Sequence, residues 1–324
     1  MQRKFIVKLG ITLVLLIFIG YKIDLTQTKE IIFSIRLLPF FCSYLVFLLC
    51  FIPLALRLRI LLKPTVLHFG LKKLIEIQFI STFYSILLPS GIGISIARWF
   101  AITKNKVGRR VFVVVTLIER MMLTLTLSLC TGVPLLFITE DKVQALRSSA
   151  LPVIFFLILV CVLFFSIFLH SSAYRAFSWM MQKAQSRFKA QGVRRILGVY
   201  EDFGLYLNTR DYLFRAFIFH LFYQALIFAR FYLVFASLRI GLHPITILWI
   251  SMLVLLILSL PITLGGLGAR EAGFAWLFTF YGIDPEKGVV LGALLSLQLF
   301  VNRGIGGILS LKESRWKGGR PQNE

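Results

Sequence analysis

Leu260-Pro261-Ile262-Thr263-Leu264-Gly265-Gly266-Leu267-Gly268-Ala269-Arg270 sets a proline, three glycines and an arginine inside an apolar run. Residues 240–269 carry no Asp, Glu, Lys or Arg, and residues 272–283 add a second apolar segment. Proline removes a helix donor and clashes with the preceding turn. Glycine admits backbone conformations that a helix does not use. An apolar run broken in this way reads as two helical arms around a non-helical tip. Leu88-Pro89-Ser90-Gly91-Ile92-Gly93-Ile94-Ser95-Ile96-Ala97-Arg98 has the same construction. The interval from Pro89 to Pro261 recurs unchanged from Gly93 to Gly265 and from Arg98 to Arg270.

Around these two stretches the chain is apolar throughout. Of 324 residues 58% are hydrophobic and only 15% charged, with 32 phenylalanines. Soluble domains are nearer half apolar and a quarter charged. A soluble enzyme, a disordered tail and a fibrous protein are thereby excluded. Crossing the hydrocarbon core takes about 20 apolar residues as helix. Besides the hairpin candidates 77–97 and 240–283, residues 5–21, 37–56, 111–138, 148–174, 212–238 and 288–311 supply such runs. The start at Met1-Gln2-Arg3-Lys4 resembles a signal peptide, but no small-residue cleavage site follows, so residues 5–21 are expected as a retained span.

The net charge is +22. Its distribution in short loops points to a membrane face beside anionic lipid rather than to nucleic acid. Lys and Arg concentrate in the N-terminus, 57–73, 98–110, 175–210 and the tail 312–324. These segments belong on the cytoplasmic side, and 22–36, 139–147, 239–243 and 284–287 on the other. Segments 77–97 and 240–283 each begin and end on one side, so each must turn back within the membrane. The interval that relates the two broken stretches also carries the run at 37 to 209 and the run at 111 to 283. The chain therefore reads as an all-α polytopic membrane protein, an inverted-topology repeat with six full spans and two re-entrant hairpins. The repeat halves are 1–138 and 148–311. Between them, 175–210 reads as a cytoplasmic amphipathic connection.

The stretch 87–93 closing with Arg98, the pair Glu119-Arg120, and above all Pro261 through Glu271 resemble motifs of the lysylphosphatidylglycerol synthase transmembrane-region family, also called flippase-like. The resemblance spans roughly 5–311. In place of the Gly-Gly-Asp usual before the first arginine stands Ile94-Ser95, and the acidic-Arg pair, more often Asp-Arg, is Glu119-Arg120. No counterpart of the soluble aminoacyltransferase domain stands in this sequence. The resemblance therefore implies the flippase module and not lysyl transfer. It further implies a multi-pass protein of a prokaryotic cytoplasmic membrane, here with both termini inside.

Arg98 and Arg270 each follow a glycine-rich break and open a short helix, whose free N–H groups carry partial positive charge. With Gly91, Gly93, Gly265, Gly266 and Gly268 they form two candidate sites for a lipid phosphate, entering from opposite faces. Snorkelling of Arg98 to the interface is the alternative. Glu119, Arg120 and Glu271 lie within apolar runs, where a charge is costly and functional by default. An inter-helix salt bridge is the alternative for Glu119-Arg120. Adjacent helical residues do not face each other, so Arg270 and Glu271 are expected to have separate partners. Arg57, Arg59, Arg215 and Arg303 read as snorkelling arginines, and Arg230 is ambiguous. The histidines (His68, His170, His220, His243) read as interfacial, and Cys42, Cys50, Cys130 and Cys161 as small buried hydrophobes.

No H-E-x-x-H, C-x-x-C or P-loop stretch is present, so no metal, cofactor or P-loop ATP hydrolysis is expected. The leading function is translocation of an anionic phospholipid or lipid-linked substrate between leaflets, without catalysis. With no nucleotide site, Glu119 is the candidate for coupling to a proton gradient. The alternative is an accessory or enzyme in lipid or glycan transfer, which would need a cluster of acids or histidines. The acids (Glu76, Glu119, Asp211, Glu271) are instead dispersed. The expected partner is membrane lipid. A second copy of the chain and a separately encoded lipid-modifying enzyme are open as protein partners.

Overall fold

The computed structural model describes residues 10–14, 17, 20–21, 23–64, 69–85, 95, 98–99, 109–138, 141–169, 175, 179–180, 183, 210–259, 263 and 265–318. Among them the regular structure is entirely helical: α1 Leu25–Phe33, α2 Leu37–Leu49, α3 Phe51–Leu62, α4 Leu71–Tyr84, α5 Arg109–Phe137, α6 Asp141–Leu169, α7 Arg210–Ser237, α8 Pro244–Ser259, α9 Ala269–Thr279 and α10 Pro285–Gly318. Among the described residues five stretches are long and apolar enough to cross a membrane: Leu37–Leu62, Phe112–Phe137, Leu146–Ser166, Asp211–Ser237 and Pro285–Leu311. They answer to five of the six expected full spans. The sixth, 5–21, lies largely outside the described residues, as do the tip with Gly91 and Gly93 and most of 175–210. α10 runs unbroken through 311 to Gly318.

Local chemistry accounts for the helix ends. Asp24 caps α1, its Oδ1 accepting from the Thr26 N–H at 2.7 Å, which satisfies a donor with no helical partner. Pro244 and Pro285 each take the first position of their helices, where the missing N–H costs nothing. Between α8 and α9 the backbone passes through positive φ at Gly265 (63°), Gly266 (82°) and Gly268 (76°). An L-residue held there costs roughly 1–2 kcal/mol each, so the glycines permit the break that Pro261 and its neighbours announce.

Packing assembles these elements in pairs. α7 lies along α2 and α3, α4 along α10, and α8 along α5, while α9 packs on α10 and α6 on α5. Glycines on α10 let backbones approach closely. A Cβ at Gly288 would stand 2.5 Å from the Ala275 backbone nitrogen on α9, and one at Gly306 would run into the Phe79 carbonyl on α4. One apolar core gathers around Trp249, Phe235, Phe274 and Phe278. There Phe235 meets Phe278 edge-on at 5.6 Å, and the Trp249 indole N–H donates to the Tyr281 hydroxyl at 3.0 Å. The other core joins Leu58, Leu61, Leu74, Val115, Ile118 and Ala216 from α3, α4, α5 and α7. By contrast α6 turns Phe155 and Phe156 outward, as a lipid-facing helix does.

Candidate functional site

Burying an arginine within a membrane bundle is costly, and this bundle buries several. Arg57, on α3, is one of them. Its Nη2 donates to Glu119 Oε1 of α5 at 2.9 Å, with the two side chains 7% and 8% exposed. Its Nη1 donates to Nδ1 of His220 on α7 at 2.6 Å. Arginine cannot accept, so Nδ1 must, and the ring proton therefore sits on Nε2. That N–H points at the Thr126 hydroxyl, 2.8 Å away, whose own proton goes to the Met122 carbonyl at 2.9 Å. The second oxygen of Glu119 accepts from Arg98 Nη1 at 2.6 Å. Glu119 is thus clamped between two guanidiniums from different elements.

A second group lies between α7, α9 and α10. Arg230 Nε donates to Gln298 Oε1 at 2.8 Å and its Nη2 to the Leu295 carbonyl at 3.2 Å. The Arg230 guanidinium stacks over the Phe47 ring at 3.6 Å, a cation–π contact. Gln298 in turn donates to Ser43 Oγ at 2.6 Å, tying α10 to α2. Arg270 Nη1 donates to Ser296 Oγ at 2.7 Å, and that hydroxyl donates to Glu271 Oε1, also at 2.7 Å. At the α8–α9 break a Cβ on Gly266 would stand 3.3 Å from Arg270 Nη2 and one on Gly265 2.8 Å from Arg303 Nη2. The bare backbone there leaves room for both guanidiniums.

The two groups face one cavity of about 340 Å³. Arg57, Arg98, Arg120, Arg230 and Arg270 line it, with Glu119 the one carboxylate among its described lining residues. Gln78, Thr82, Ser95 and Tyr223 add polar groups, and Phe47, Phe51, Phe231 and Leu255 add apolar wall. Three lining donors, Arg57 Nε, Arg98 Nε and Gln78 Nε2, are buried with no protein partner among the described residues. Such donors keep full value for a ligand that brings an acceptor.

Of the residues singled out in the sequence, the structure brings Arg98, Arg120, Arg270 and Glu119 to this cavity. Glu271 stands two hydrogen bonds behind it, reached from Arg270 through Ser296, and Gly265, Gly266 and Gly268 form the adjacent break. Gly91 and Gly93 lie outside the described residues. Four expectations need correction. Arg57 does not snorkel; Glu119 and His220 hold it inside. Arg303 is likewise buried, against the Gly265 break, whereas Arg59 and Arg215 are exposed. His220 is not interfacial but fully buried. Arg270 and Glu271 do not have separate partners; they share the Ser296 hydroxyl. Arg230 and its partner Gln298 were missed as site residues, although an arginine deep inside the apolar run 212–238 is itself a signal.

A cavity lined by arginines and enclosed by membrane-length helices defines a polytopic membrane protein built around a polar interior. The description "Lysylphosphatidylglycerol synthase TM region" matches residues 5–302, and the chain belongs to that family. No curated protein and no solved structure gives a match.

Proposed function

We propose that the protein translocates an anionic phospholipid or lipid-linked substrate between leaflets, as an inverted-topology repeat with six full spans and two re-entrant hairpins. The observation that carries this reading is the arginine cavity, fed from both halves of the sequence. Arg98 and Arg270 are related by the interval that relates the two broken stretches, and Arg57 and Arg230, on α3 and α7, fall within one position of it. The packing supports the repeat as well. At the same interval α4 corresponds to α8 and α5 to α10, and α4 lies along α10 as α8 lies along α5. Each half thus lends its broken segment to the long helix of the other. That is the arrangement in which alternating access exposes one site to either side.

The reading favours transport over catalysis. The carboxylate in the cavity is held by two arginines at 2.9 and 2.6 Å, which suits a counter-ion better than a proton-transfer group. The setting is a cytoplasmic membrane with both termini inside. The test is reconstitution into vesicles with fluorescent lipids of differing headgroup, followed by leaflet-selective quenching. Faster loss of asymmetry for an anionic lipid than in protein-free vesicles is expected. Transbilayer rates equal to those of protein-free vesicles for every headgroup overturn the proposal.

A further inference from the structure

The charge of the cavity narrows the ligand, and the narrowing rests on the transport reading above. We infer that the cavity takes a headgroup with two or more negative charges on phosphate, a phosphomonoester or a diphosphate, seated against Arg230 and Arg270. A phosphodiester carries one negative charge, whereas a phosphomonoester carries about −1.5 to −2 at neutral pH.

Among the described residues, five arginines line the cavity against one carboxylate, Glu119. A second, Glu271, is linked to Arg270 through Ser296. Counting both acids against Arg57, Arg98, Arg230 and Arg270 alone leaves a net charge of +2. Residues 86–108, which join α4 to α5 and contain Arg98, hold no Asp or Glu. Glu76 pairs with Lys73 at 3.6 Å and is partly exposed, and Asp211 is exposed. A charge excess of this size inside hydrocarbon is costly unless a ligand answers it. A diester would leave +1, and a dianion would cancel the excess. An ammonium-bearing headgroup would add to the repulsion.

The seat follows from an asymmetry between the halves. Arg57 and Arg98 share a carboxylate. Their counterparts Arg230 and Arg270 are held by a glutamine, a main-chain carbonyl and a hydroxyl. Glu119 occupies the position at which a phosphate would bridge the first pair. Among the described residues no acid bridges the second pair, so the ligand's oxygens go there. Phe47 and Phe231 flank Arg230 and offer apolar wall to the first carbons of the chain. About 340 Å³ lies at the small end of ligand pockets, roughly 300–1,000 Å³. It fits a headgroup and not a whole lipid.

The experiment titrates the purified full chain in neutral detergent at pH 8, above the second phosphate pKa of about 6. Probes are dioctanoyl phosphatidate, dioctanoyl phosphatidylglycerol, dioctanoyl phosphatidylcholine and inorganic pyrophosphate, read by calorimetry. Phosphatidate is expected to bind at least about tenfold more tightly than phosphatidylglycerol, the value of one charged hydrogen bond. Phosphatidylcholine should bind more weakly than either. Arg230→Gln and Arg270→Gln should each weaken phosphatidate about 10- to 150-fold and erase the preference. Arg270→Lys, which keeps the charge, should retain it and serves if a glutamine variant does not fold. Equal affinity for the two anionic lipids overturns this inference while leaving lipid transport standing. Pyrophosphate binding as tight as phosphatidate assigns the site to a free anion and overturns the lipid seat. Binding of no lipid, together with no transbilayer movement, fails the transport reading itself.

Discussion

Replacing Glu119 with glutamine keeps the side chain's volume and removes its charge. Both carboxylate oxygens are in use, at 2.9 Å to Arg57 and 2.6 Å to Arg98, and all three side chains are buried. This is therefore no surface ion pair worth a fraction of a kcal/mol. Breaking a buried pair by removing one partner costs about 3–5 kcal/mol, because it leaves buried charge uncompensated. Here two guanidiniums lose one anion, and the glutamine amide turns a donor toward one of them. We expect Glu119→Gln to destabilise the protein by about 3–5 kcal/mol. The assay is SDS-driven unfolding in mixed micelles, followed by tryptophan fluorescence. A double-mutant cycle sharpens it. Arg98→Met alone should be costly, whereas Arg98→Met on top of Glu119→Gln should cost much less, because it removes a charge the first substitution stranded. Additive effects, or a Glu119→Gln change below about 0.5 kcal/mol, the level of ordinary surface substitutions, would refute the double clamp.

Arg270→Ala should abolish lipid movement while leaving folded protein in the membrane, with headgroup affinity down about 10- to 150-fold; normal transport by a well-expressed variant rules that role out. Gly265→Ala forces an L-residue to φ 63° and sets its Cβ 2.8 Å from Arg303 Nη2, so a loss of more than about 1 kcal/mol is expected, measured by the same unfolding assay. Gly306→Leu should separate α4 from α10, seen as loss of a cysteine cross-link engineered between the two helices. Cysteines at Lys72 and Lys104 should both label from the cytoplasm, and labelling of either from outside contradicts the inverted repeat.

The break between α8 and α9 was legible in the sequence because proline and glycine act locally. Pro261 and the three glycines state a break whatever surrounds them, and α8 and α9 end and begin on either side of it. Apolar runs likewise located α2–α3, α5, α6, α7 and α10. Partners were harder to see. Whether an arginine near a helix end reaches lipid headgroups or turns inward depends on what another helix presents. Arg57 and Arg59 are near neighbours on one helix, yet one is buried and the other exposed. The acid that decides it, Glu119, is 62 residues from Arg57. Ser296 was invisible for the same reason: a serine in an apolar run gains its role only where α9 meets α10. The recurrence, within one position, of the Pro89-to-Pro261 spacing between Arg57 and Arg230 was the signal available in the chain itself.

The hydroxyl shared by Arg270 and Glu271 bears on how easily each buried arginine is released. Ser296 has a single proton and gives it to Glu271, so toward Arg270 it can only accept. When Arg270 swings to another anion, the hydroxyl surrenders one lone-pair contact and Glu271 keeps its donor. Arg98 has no such freedom, since leaving Glu119 strands a carboxylate that Arg57 alone must hold. One guanidinium is thus hinged on a neutral latch and the other bolted to an ion. In any cycle that moves both, the Arg270 side should disengage first and re-engage last, giving the two arginines an order of motion that their matching places in the sequence do not suggest.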